Sequence, residues 1–287
     1  MSALIGQTVS LLKLRIGVAI AASALAGMAA ASGPALTWWQ SAGFALAVLG
    51  GSGAAGAFNH YYERDLDVRM RRTKARPFAS GALRPDWRWP ASFAVLLVAS
   101  LALAAGTGGV IAAIHVFLGA FTYGVVYTVW LKRRTAWNIV VGGLAGSFAV
   151  LAGAAAVDPS PQLMPVVLAV VLFLWTPPHF WSLAAARRDD YASAGVPMLP
   201  VVAPERAWTL AILAHAAALA MLSLVPVAFG AGLAYGLCAA AGGGYFVWRS
   251  WLLHVSPGRS EAMANFAASL IQLCLLVAGT VAGAALR

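Results

Sequence analysis

Residues 59–77, which read NHYYERDLDVRMRRTKARP, decide how the rest of the chain is interpreted. They include three acidic and six basic residues, although only 10% of the whole chain is charged. If the preceding apolar segment is a helix that continues into them, Asn59, Glu63 and Asp67 are spaced four residues apart and share one helical face. An amide and two carboxylates on one face favour a hard cation such as Mg²⁺. A loop that only fixes membrane orientation needs Lys and Arg, not aligned carboxylates.

Three basic residues, Arg72, Lys74 and Arg76, follow these carboxylates. Guanidinium and ammonium groups form charge-assisted hydrogen bonds to phosphate oxygens. We therefore expect a diphosphate to bind beside the cation. Lys13 precedes the first apolar segment on the same predicted membrane face, and we expect it to join this group.

The composition indicates a polytopic membrane protein. Of 287 residues, 61% are apolar, and the mean hydropathy is +0.81. Four long intervals are nearly free of charge and are broken near their middles by Gly, Pro or Ser, which is typical of helical hairpins. These intervals are 16–62, 89–131, 135–186 and 207–248, with breaks at 32–34, 106–109, 158–161 and 230–232. A single span at 262–286 brings the prediction to nine transmembrane helices.

The basic residues support this arrangement, because alternate loops carry them. Eighteen of the nineteen Lys and Arg residues fall on one predicted face, and Arg287 is the exception. This asymmetry predicts a cytoplasmic amino terminus and a carboxyl terminus on the opposite side. The net charge of +10 is then a topological feature, and we expect no nucleic-acid partner. No cleavable targeting segment or transit extension is evident, which favours a bacterial inner membrane.

A second polar segment, residues 176–191, ends the predicted sixth span. Pro177 and Pro178 free backbone carbonyls, which membrane helices tolerate where they line a cavity. His179 follows them, and three roles are open: a buried histidine bonded to a carbonyl, a ligand of a porphyrin iron, or a base. Asp189 and Asp190 either complete the metal site or form a solvated pair.

The remaining histidines and cysteines carry weaker signals. His60 points away from the carboxylate face and is a weak candidate. The others are interpreted as structural or packing residues: His115, His215, His254, Cys238 and Cys274.

Residues 59–77 resemble the first aspartate-rich motif of the UbiA-type intramembrane prenyltransferases. Three details resemble the branch of that superfamily that farnesylates heme: Met70 with residues 72–77, Pro178-His179 leading into 188–191, and the segment 196–202. The resemblance covers most of the chain. It implies one transmembrane prenyltransferase domain over residues 1–287, with an all-α fold of nine helices around a central cavity.

The resemblance also implies a reaction, in which the farnesyl group of farnesyl diphosphate is transferred to a vinyl group of heme B, giving heme O and diphosphate. It implies Mg²⁺ as the cofactor, membrane lipid as the surroundings, and heme A synthase or a terminal oxidase assembly as the recipient. By this resemblance the catalytic residues are Asn59, Glu63 and Asp67; the metal ligands are Glu63, Asp67, Asp189 and Asp190; the diphosphate ligands are Lys13, Arg72, Lys74, Arg76, Arg187 and Arg188; and His179 is the heme-binding candidate.

Two departures from the superfamily pattern affect the metal site. Glu63 stands where the superfamily usually has Asp, which keeps the carboxylate and lengthens its reach. The second motif usually has two aspartates four residues apart, whereas this chain has only Asp189 and Asp190, so contact of Arg187 or Arg188 with phosphate is an alternative to a second metal ion.

Other functions are less compatible with this pattern. A sister prenyltransferase acting on an aromatic acid, a quinone precursor or another tetrapyrrole shares the metal site, but is expected to carry the fuller second motif. A transporter would place polar residues near the middle of the bilayer. A purely structural bundle has no reason to align carboxylates.

Overall fold

The computed structural model describes Gly6 and residues 9–286, and their regular secondary structure is entirely helical. A π-helix, Thr122–Leu131, directly follows the α-helix Val110–Phe121. The helices after residue 13 are α1 (Leu14–Ala30), α2 (Trp38–Tyr62), α3 (Arg64–Asp67), α4 (Arg88–Gly108), α5 (Val110–Phe121), α6 (Asn138–Gly142), α7 (Leu144–Val157), α8 (Leu163–Ala186), α9 (Arg188–Ser193), α10 (Leu199–Val202), α11 (Glu205–Ala228), α12 (Leu233–Val255) and α13 (Arg259–Ala285).

The expectation of an all-α membrane protein is confirmed, but the count of nine crossings is not. Among the described residues, seven helical segments are long and apolar enough to cross a membrane: Trp38–Tyr62, Arg88–Gly108, Val110–Leu131, Asn138–Val157, Leu163–Ala186, Glu205–Ala228 and Arg259–Ala285. Helix α1 has only 17 residues, and α12 is not among the seven. Nine crossings therefore remain a prediction.

The predicted breaks between helices are confirmed, and glycine makes two of them. Gly109 begins α5 with φ of 87°, and Gly232 begins α12 with φ of 88°. L-residues with a Cβ rarely adopt this left-handed region, whereas glycine does so at little cost. The chain therefore reverses direction between α4 and α5, and between α11 and α12, where the sequence places glycines.

The long helices form a closed ring. Each packs on the next in the order α1, α2, α4, α5, α7, α8, α11, α12 and α13, and α13 returns to pack on α1. Contacts of α1 with α7, and of α8 with α13, cross the ring. The result is two groups of helices, one formed by α1 to α7 and the other by α8 to α13.

Two glycines permit the crossing of α1 and α7. A Cβ at Gly27 would overlap the carbonyl oxygen of Val150, and a Cβ at Gly153 would overlap that of Ala24. The backbones are therefore in direct contact, as small residues allow in membrane helix pairs. This contact holds α1, and with it Lys13, against the bundle.

Helix α2 does not continue unbroken through residues 59–67, as the sequence interpretation assumed. It ends at Tyr62, and Glu63 has φ of −89° and ψ of 9° before the short helix α3 begins. The Glu63 amide still donates to the Asn59 carbonyl at 2.9 Å, and the Asp67 amide to the Glu63 carbonyl at 2.8 Å. Because these four-residue hydrogen bonds persist across the break, Asn59, Glu63 and Asp67 all remain buried.

The α1–α7 crossing generates a stability prediction. Replacing Gly153 with Ala should destabilise the fold by about 1–3 kcal/mol, because the added methyl group overpacks against backbone that cannot rotate away. Heating in detergent, followed by fluorescence-detected size-exclusion chromatography, measures the loss. Gly244→Ala is the matched control, since a Cβ there meets nothing within 4 Å. Equal thermal stability of the two variants would contradict the close crossing.

Candidate active site

The candidate site lies at the charged end of the bundle, where residues 59–77 meet the ends of α1 and the π-helix. Lys13 Nζ donates to Asn59 Oδ1 at 2.5 Å and to the Tyr123 hydroxyl at 2.9 Å. Asn59 Nδ2 donates to Thr128 Oγ1 at 3.0 Å. The buried Asn59 amide therefore links α1, α2 and the π-helix, which positions the Lys13 ammonium at their junction.

Lys13 is held in an unusual environment. Among the described residues it is the one non-glycine residue with positive φ, at 50°, a conformation that costs on the order of 1 kcal/mol for an L-residue. Burial holds the pKa of its ammonium well below the usual value, and the Arg76 guanidinium lowers this pKa further. An anionic ligand beside Lys13 would stabilise the charged form of this buried ammonium.

The two carboxylates of the first motif are buried and paired with cations. Glu63 is 1% exposed and accepts from Lys132 Nζ at 2.5 Å. Asp67 is 2% exposed, and Arg76 Nη1 donates to both of its oxygens at 2.8 Å. Glu63 Oε1 is buried and has no hydrogen-bond partner. An unpaired buried carboxylate oxygen is costly, so this atom is the natural place for a cation to bind.

The π-helix contributes residues that the sequence interpretation missed. Its turns are closed by bonds across five residues, as in the 2.9 Å bond from the Lys132 amide to the Tyr127 carbonyl. The side-chain hydroxyl of Thr128 also donates to the carbonyl of Tyr123, at 2.8 Å. π-Helical segments are rare in proteins, and those that occur often lie at functional sites. Tyr123 and Tyr127 stack with ring centroids 5.7 Å apart, and Lys132 reaches Glu63 from the same face.

Lys132 could not be recognised from its sequence context. It opens the run Lys132-Arg133-Arg134, which topology alone explains. In an α-helix, residues five apart differ by about 140° around the axis, so Tyr127 and Lys132 would point in different directions. Only the wider π-helical turn brings Tyr127 and Lys132 to one side.

The other predicted diphosphate ligands differ in position. Arg76 contacts the site, whereas Arg72, Lys74 and Arg188 are exposed at the charged end. Arg187 is half-buried, and its Nε has no hydrogen-bond partner.

The two polar segments predicted from the sequence meet at the charged end. Asp190 is buried and accepts from Arg71 Nε at 3.3 Å, and Ser193 Oγ donates to the Arg69 carbonyl at 3.3 Å. Asp189 is exposed. Asp65 forms a separate surface pair with Arg133, whose hydrogen bonds lower the pKa of the Asp65 carboxyl. The loop of residues 68–87 therefore contacts α9, and α9 places Asp190 beside that loop.

The carboxylates do not form a ready-made metal cluster. In the part of the chain that the structure describes, no three His, Cys, Asp or Glu side chains lie close enough together to hold a metal ion. The predicted ligands Glu63, Asp67, Asp189 and Asp190 are instead distributed along the charged end. A divalent ion bound here would complete its coordination with substrate phosphate and water, as Mg²⁺ commonly does.

An apolar pocket extends from this site into the bundle. Lys13 and Tyr123 lie at its polar end, and the rest of the lining is apolar or small, apart from Ser52 and His115. Helices α1, α2, α5 and α7 enclose it. The lining residues are Lys13, Ile16, Ile20, Val48, Ser52, Ala55, Gly56, His115, Val116, Gly119, Ala120, Tyr123, Ala145 and Ala149.

Two histidines are buried near the charged end. His60 is 3% exposed, and its Nδ1 has no partner. His179, in α8, is 6% exposed and lies in the second group of helices, where its Nδ1 is 2.7 Å from Ser269 Oγ on α13. The structure therefore places His179 against α13 and apart from the carboxylate pairs.

Solved structures share this fold. A digeranylgeranylglyceryl phosphate synthase aligns over 99% of both chains with a TM-score of 0.80 and 16% sequence identity. A UbiA homolog from Archaeoglobus fulgidus, solved with GPP and Mg²⁺, covers 96% of this chain and 99% of its own, with a TM-score of 0.72 and 15% identity. At such low identity these similarities describe the fold alone.

Sequence relatives are much closer. Two curated proteins from Paramagnetospirillum magneticum (strain ATCC 700264 / AMB-1) align along almost the entire chain. Protoheme IX farnesyltransferase 2 is 57% identical over 93% of both chains, and protoheme IX farnesyltransferase 1 is 47% identical over 94% of this chain and 95% of its own. The sequence profile of the UbiA prenyltransferase family matches residues 20–274. The chain therefore belongs to the UbiA prenyltransferase family.

Proposed function

We propose that this protein transfers the farnesyl group of farnesyl diphosphate to a vinyl group of heme B, giving heme O and diphosphate. The observation that carries the proposal is a buried cluster of charges around Lys13, which also lines the polar end of an apolar pocket. Such a site suits a ligand with an anionic head and a hydrocarbon tail. The choice of farnesyl and heme rests on relatives named protoheme IX farnesyltransferase, at 57% and 47% identity.

The diphosphate group would bind among Lys13, Arg76 and Lys132. With Glu63 and Asp67, these residues give three cations and two anions, so positive charge is in excess. Arg72, Lys74, Arg187 and Arg188 lie at the same end and would attract the anion or contact it as it binds. Stabilising the oxyanion of the leaving group is where such cations lower a reaction barrier most.

The donor set fits Mg²⁺. Glu63 and Asp67 would hold the ion, with Asp189 and Asp190 as further candidates; the unpaired Glu63 Oε1 is the atom that supports this assignment. When bound, Mg²⁺ supplies positive charge to the departing diphosphate. Lys132 pairs with Glu63, and Arg76 pairs with Asp67. If these carboxylates bind Mg²⁺, the two side-chain cations become available to bind phosphate.

The farnesyl chain would occupy the pocket between α1, α2, α5 and α7. Its lining is mostly apolar, and each CH₂ group transferred from water into it contributes about 0.8 kcal/mol to binding. The pocket leads away from Lys13 and Tyr123, so a chain lying in it places its diphosphate end beside them. Tyr123 lines the polar end of the pocket and stacks on Tyr127, so these rings would stabilise an allylic cation formed at that end.

In the reaction, the bond between farnesyl C1 and oxygen breaks, and its electrons leave with diphosphate. The terminal carbon of the heme vinyl group bonds to C1, water adds to the neighbouring carbon, and one proton is released. The chain contributes binding, orientation and charge: Asn59 holds Lys13 in place, and Lys13, Arg76 and Lys132 stabilise the leaving group. His179 is the candidate ligand of the heme iron.

This function has a cellular setting. The chain is a multi-pass membrane protein, and we infer a bacterial inner membrane, with the charged end and the amino terminus facing the cytoplasm. Residues 1–287 would act as one prenyltransferase domain within membrane lipid. The product would pass to heme A synthase or to a terminal oxidase assembly.

A direct assay tests the function. Purified protein is incubated with heme B, farnesyl diphosphate and Mg²⁺, and the extracted pigment is analysed by mass spectrometry for a hydroxyethylfarnesyl heme. Parallel reactions contain an aromatic acid, a quinone precursor or a different tetrapyrrole in place of heme B. Prenylation of one of these acceptors without any heme product would favour the sister activity.

Replacing Asp67 with Asn should lower turnover by about 10²-fold or more, because it removes one of the two carboxylates proposed to hold Mg²⁺ and leaves Arg76 without its anionic partner. Asp65→Asn is the matched control two residues away, since Asp65 lies at the surface in a pair with Arg133. Both variants should insert into the membrane as well as the unmodified chain does, as measured by their resistance to carbonate extraction. Full activity of the Asp67 variant would exclude its role in the site.

Replacing Lys132 with Met should reduce kcat/KM for farnesyl diphosphate by about 10²-fold, because one cation is lost from the diphosphate site and the buried Glu63 is left unpaired. Arg133→Met is the control, because Arg133 pairs only at the surface. Steady-state kinetics with farnesyl diphosphate as the varied substrate separate the two. If both variants lose activity equally, the run of three basic residues acts through topology alone.

A further inference from the structure

A residue of helix α13 lies within hydrogen-bond distance of His179, and it has no role in the proposed reaction. The residue that makes it, Ser269, is fully buried and lies opposite α8. Its hydroxyl is 2.7 Å from His179 Nδ1 and 2.6 Å from the carbonyl oxygen of Phe266, one turn earlier in α13. Both contacts are short enough to be hydrogen bonds.

These two contacts fix the position of a proton. A serine hydroxyl has a single hydrogen to donate. A carbonyl oxygen cannot donate, so the contact with Phe266 requires that the hydroxyl hydrogen points at that carbonyl. The contact with His179 then requires the opposite polarity, in which Nδ1–H donates and Ser269 Oγ accepts. The imidazole is therefore held with its proton on Nδ1, and its Nε2 carries a lone pair.

Two aromatic rings prevent the imidazole from turning. Trp175 stacks on one side, with centroids 4.2 Å apart and planes inclined by 19°, and Phe266 stacks with centroids 4.4 Å apart and planes inclined by 28°. Trp175 is itself fixed, because its indole N–H donates to the Ser269 carbonyl at 2.8 Å. Ser269 therefore orients the imidazole with its side chain and the neighbouring indole with its backbone.

The remaining nitrogen is available to a ligand. Within the described part of the chain His179 Nε2 has no hydrogen-bond partner, and it is not among the polar atoms that are sealed from solvent. A neutral imidazole with a free Nε2 is a metal ligand, and iron in a porphyrin accepts one. Histidine ligands are usually oriented by such a hydrogen bond at the other ring nitrogen.

We propose that Ser269 is a positioning residue, which holds His179 so that Nε2 coordinates the iron of the heme substrate. This rests on the proposed function, because it takes heme as the acceptor. The acceptor site then lies between α8 and α13, in the second group of helices, and the tautomer of His179 determines how heme is held.

The tautomer is tested first in the unmodified protein, so that folding of a variant does not matter. Histidine labelled with ¹⁵N is incorporated into the full chain in detergent, and long-range ¹H–¹⁵N spectra distinguish Nδ1–H from Nε2–H rings. His179→Gln identifies the signal by its disappearance. We expect the Nδ1–H form, and a signal typical of Nε2–H would overturn the proposal.

Heme binding is tested with ferric heme B alone, by Soret titration and electron paramagnetic resonance. Ser269→Ala should weaken heme binding by about 10–100-fold and reduce the histidine-ligated spectral signature, as loss of an orienting partner does at metal sites. Ser269→Thr keeps the acceptor oxygen and should restore both. Ser223→Ala is the matched control, because Ser223 is fully buried and its hydroxyl donates to the Leu219 carbonyl of its own helix, while the bond from the Tyr235 hydroxyl is to the backbone carbonyl, which the substitution keeps. Farnesyl diphosphate binding should be unchanged in all three.

The outcomes separate this inference from the function beneath it. If His179→Gln alters the heme spectrum but Ser269→Ala does not, Ser269 has no positioning role, although iron ligation stands. If His179→Gln leaves both the spectrum and heme O formation unchanged, ligation by His179 is excluded while the farnesyl transfer remains. If Ser223→Ala weakens heme binding as much as Ser269→Ala, the effect is one of general packing, and the proposal fails.

Discussion

The pairing of buried charges at one end of an apolar bundle is the constraint on which the rest of this structure depends. Glu63 with Lys132, and Asp67 with Arg76, are removed from water in a chain in which only 10% of residues are charged. Removing one partner of such a buried pair typically costs about 3–5 kcal/mol. The fold must therefore bring a cation to each carboxylate, Arg76 from nine residues away and Lys132 from 69 residues away, and this gathers the cations that we propose bind diphosphate.

The helical ring explains how this is done. Close contact at Gly27 and Gly153 holds α1 against α7, which places Lys13 over the Asn59 amide. The π-helix turns Lys132 toward Glu63. Both arrangements have a local cost. The backbone of Lys13 is strained, and the π-helix has wider turns than an α-helix. Such costs are typical of functional sites, where surrounding structure enforces an unfavourable local conformation.

The ring also divides the chemistry. The first group of helices provides the charged cluster and the apolar pocket, which suit a prenyl diphosphate. The second group provides His179, which contacts Ser269, Trp175 and Phe266, and this is where we propose that heme binds. A reaction between the two substrates would then occur where the groups meet, because α1 packs on α13 and α7 packs on α8.

The sequence by itself determined the class of fold, the positions of the helix breaks, the carboxylate face of Asn59, Glu63 and Asp67, and the family. These follow from local signals: charge-free lengths, glycine and proline at turns, and four-residue spacing. Tertiary structure alone decided which cations meet which carboxylates, that α2 breaks at Glu63, and that Ser269 contacts His179. Lys132 is 69 residues from Glu63 and Ser269 is 90 from His179. No local pattern encodes such pairs, because they arise only when helices pack and each buried polar group must find a partner.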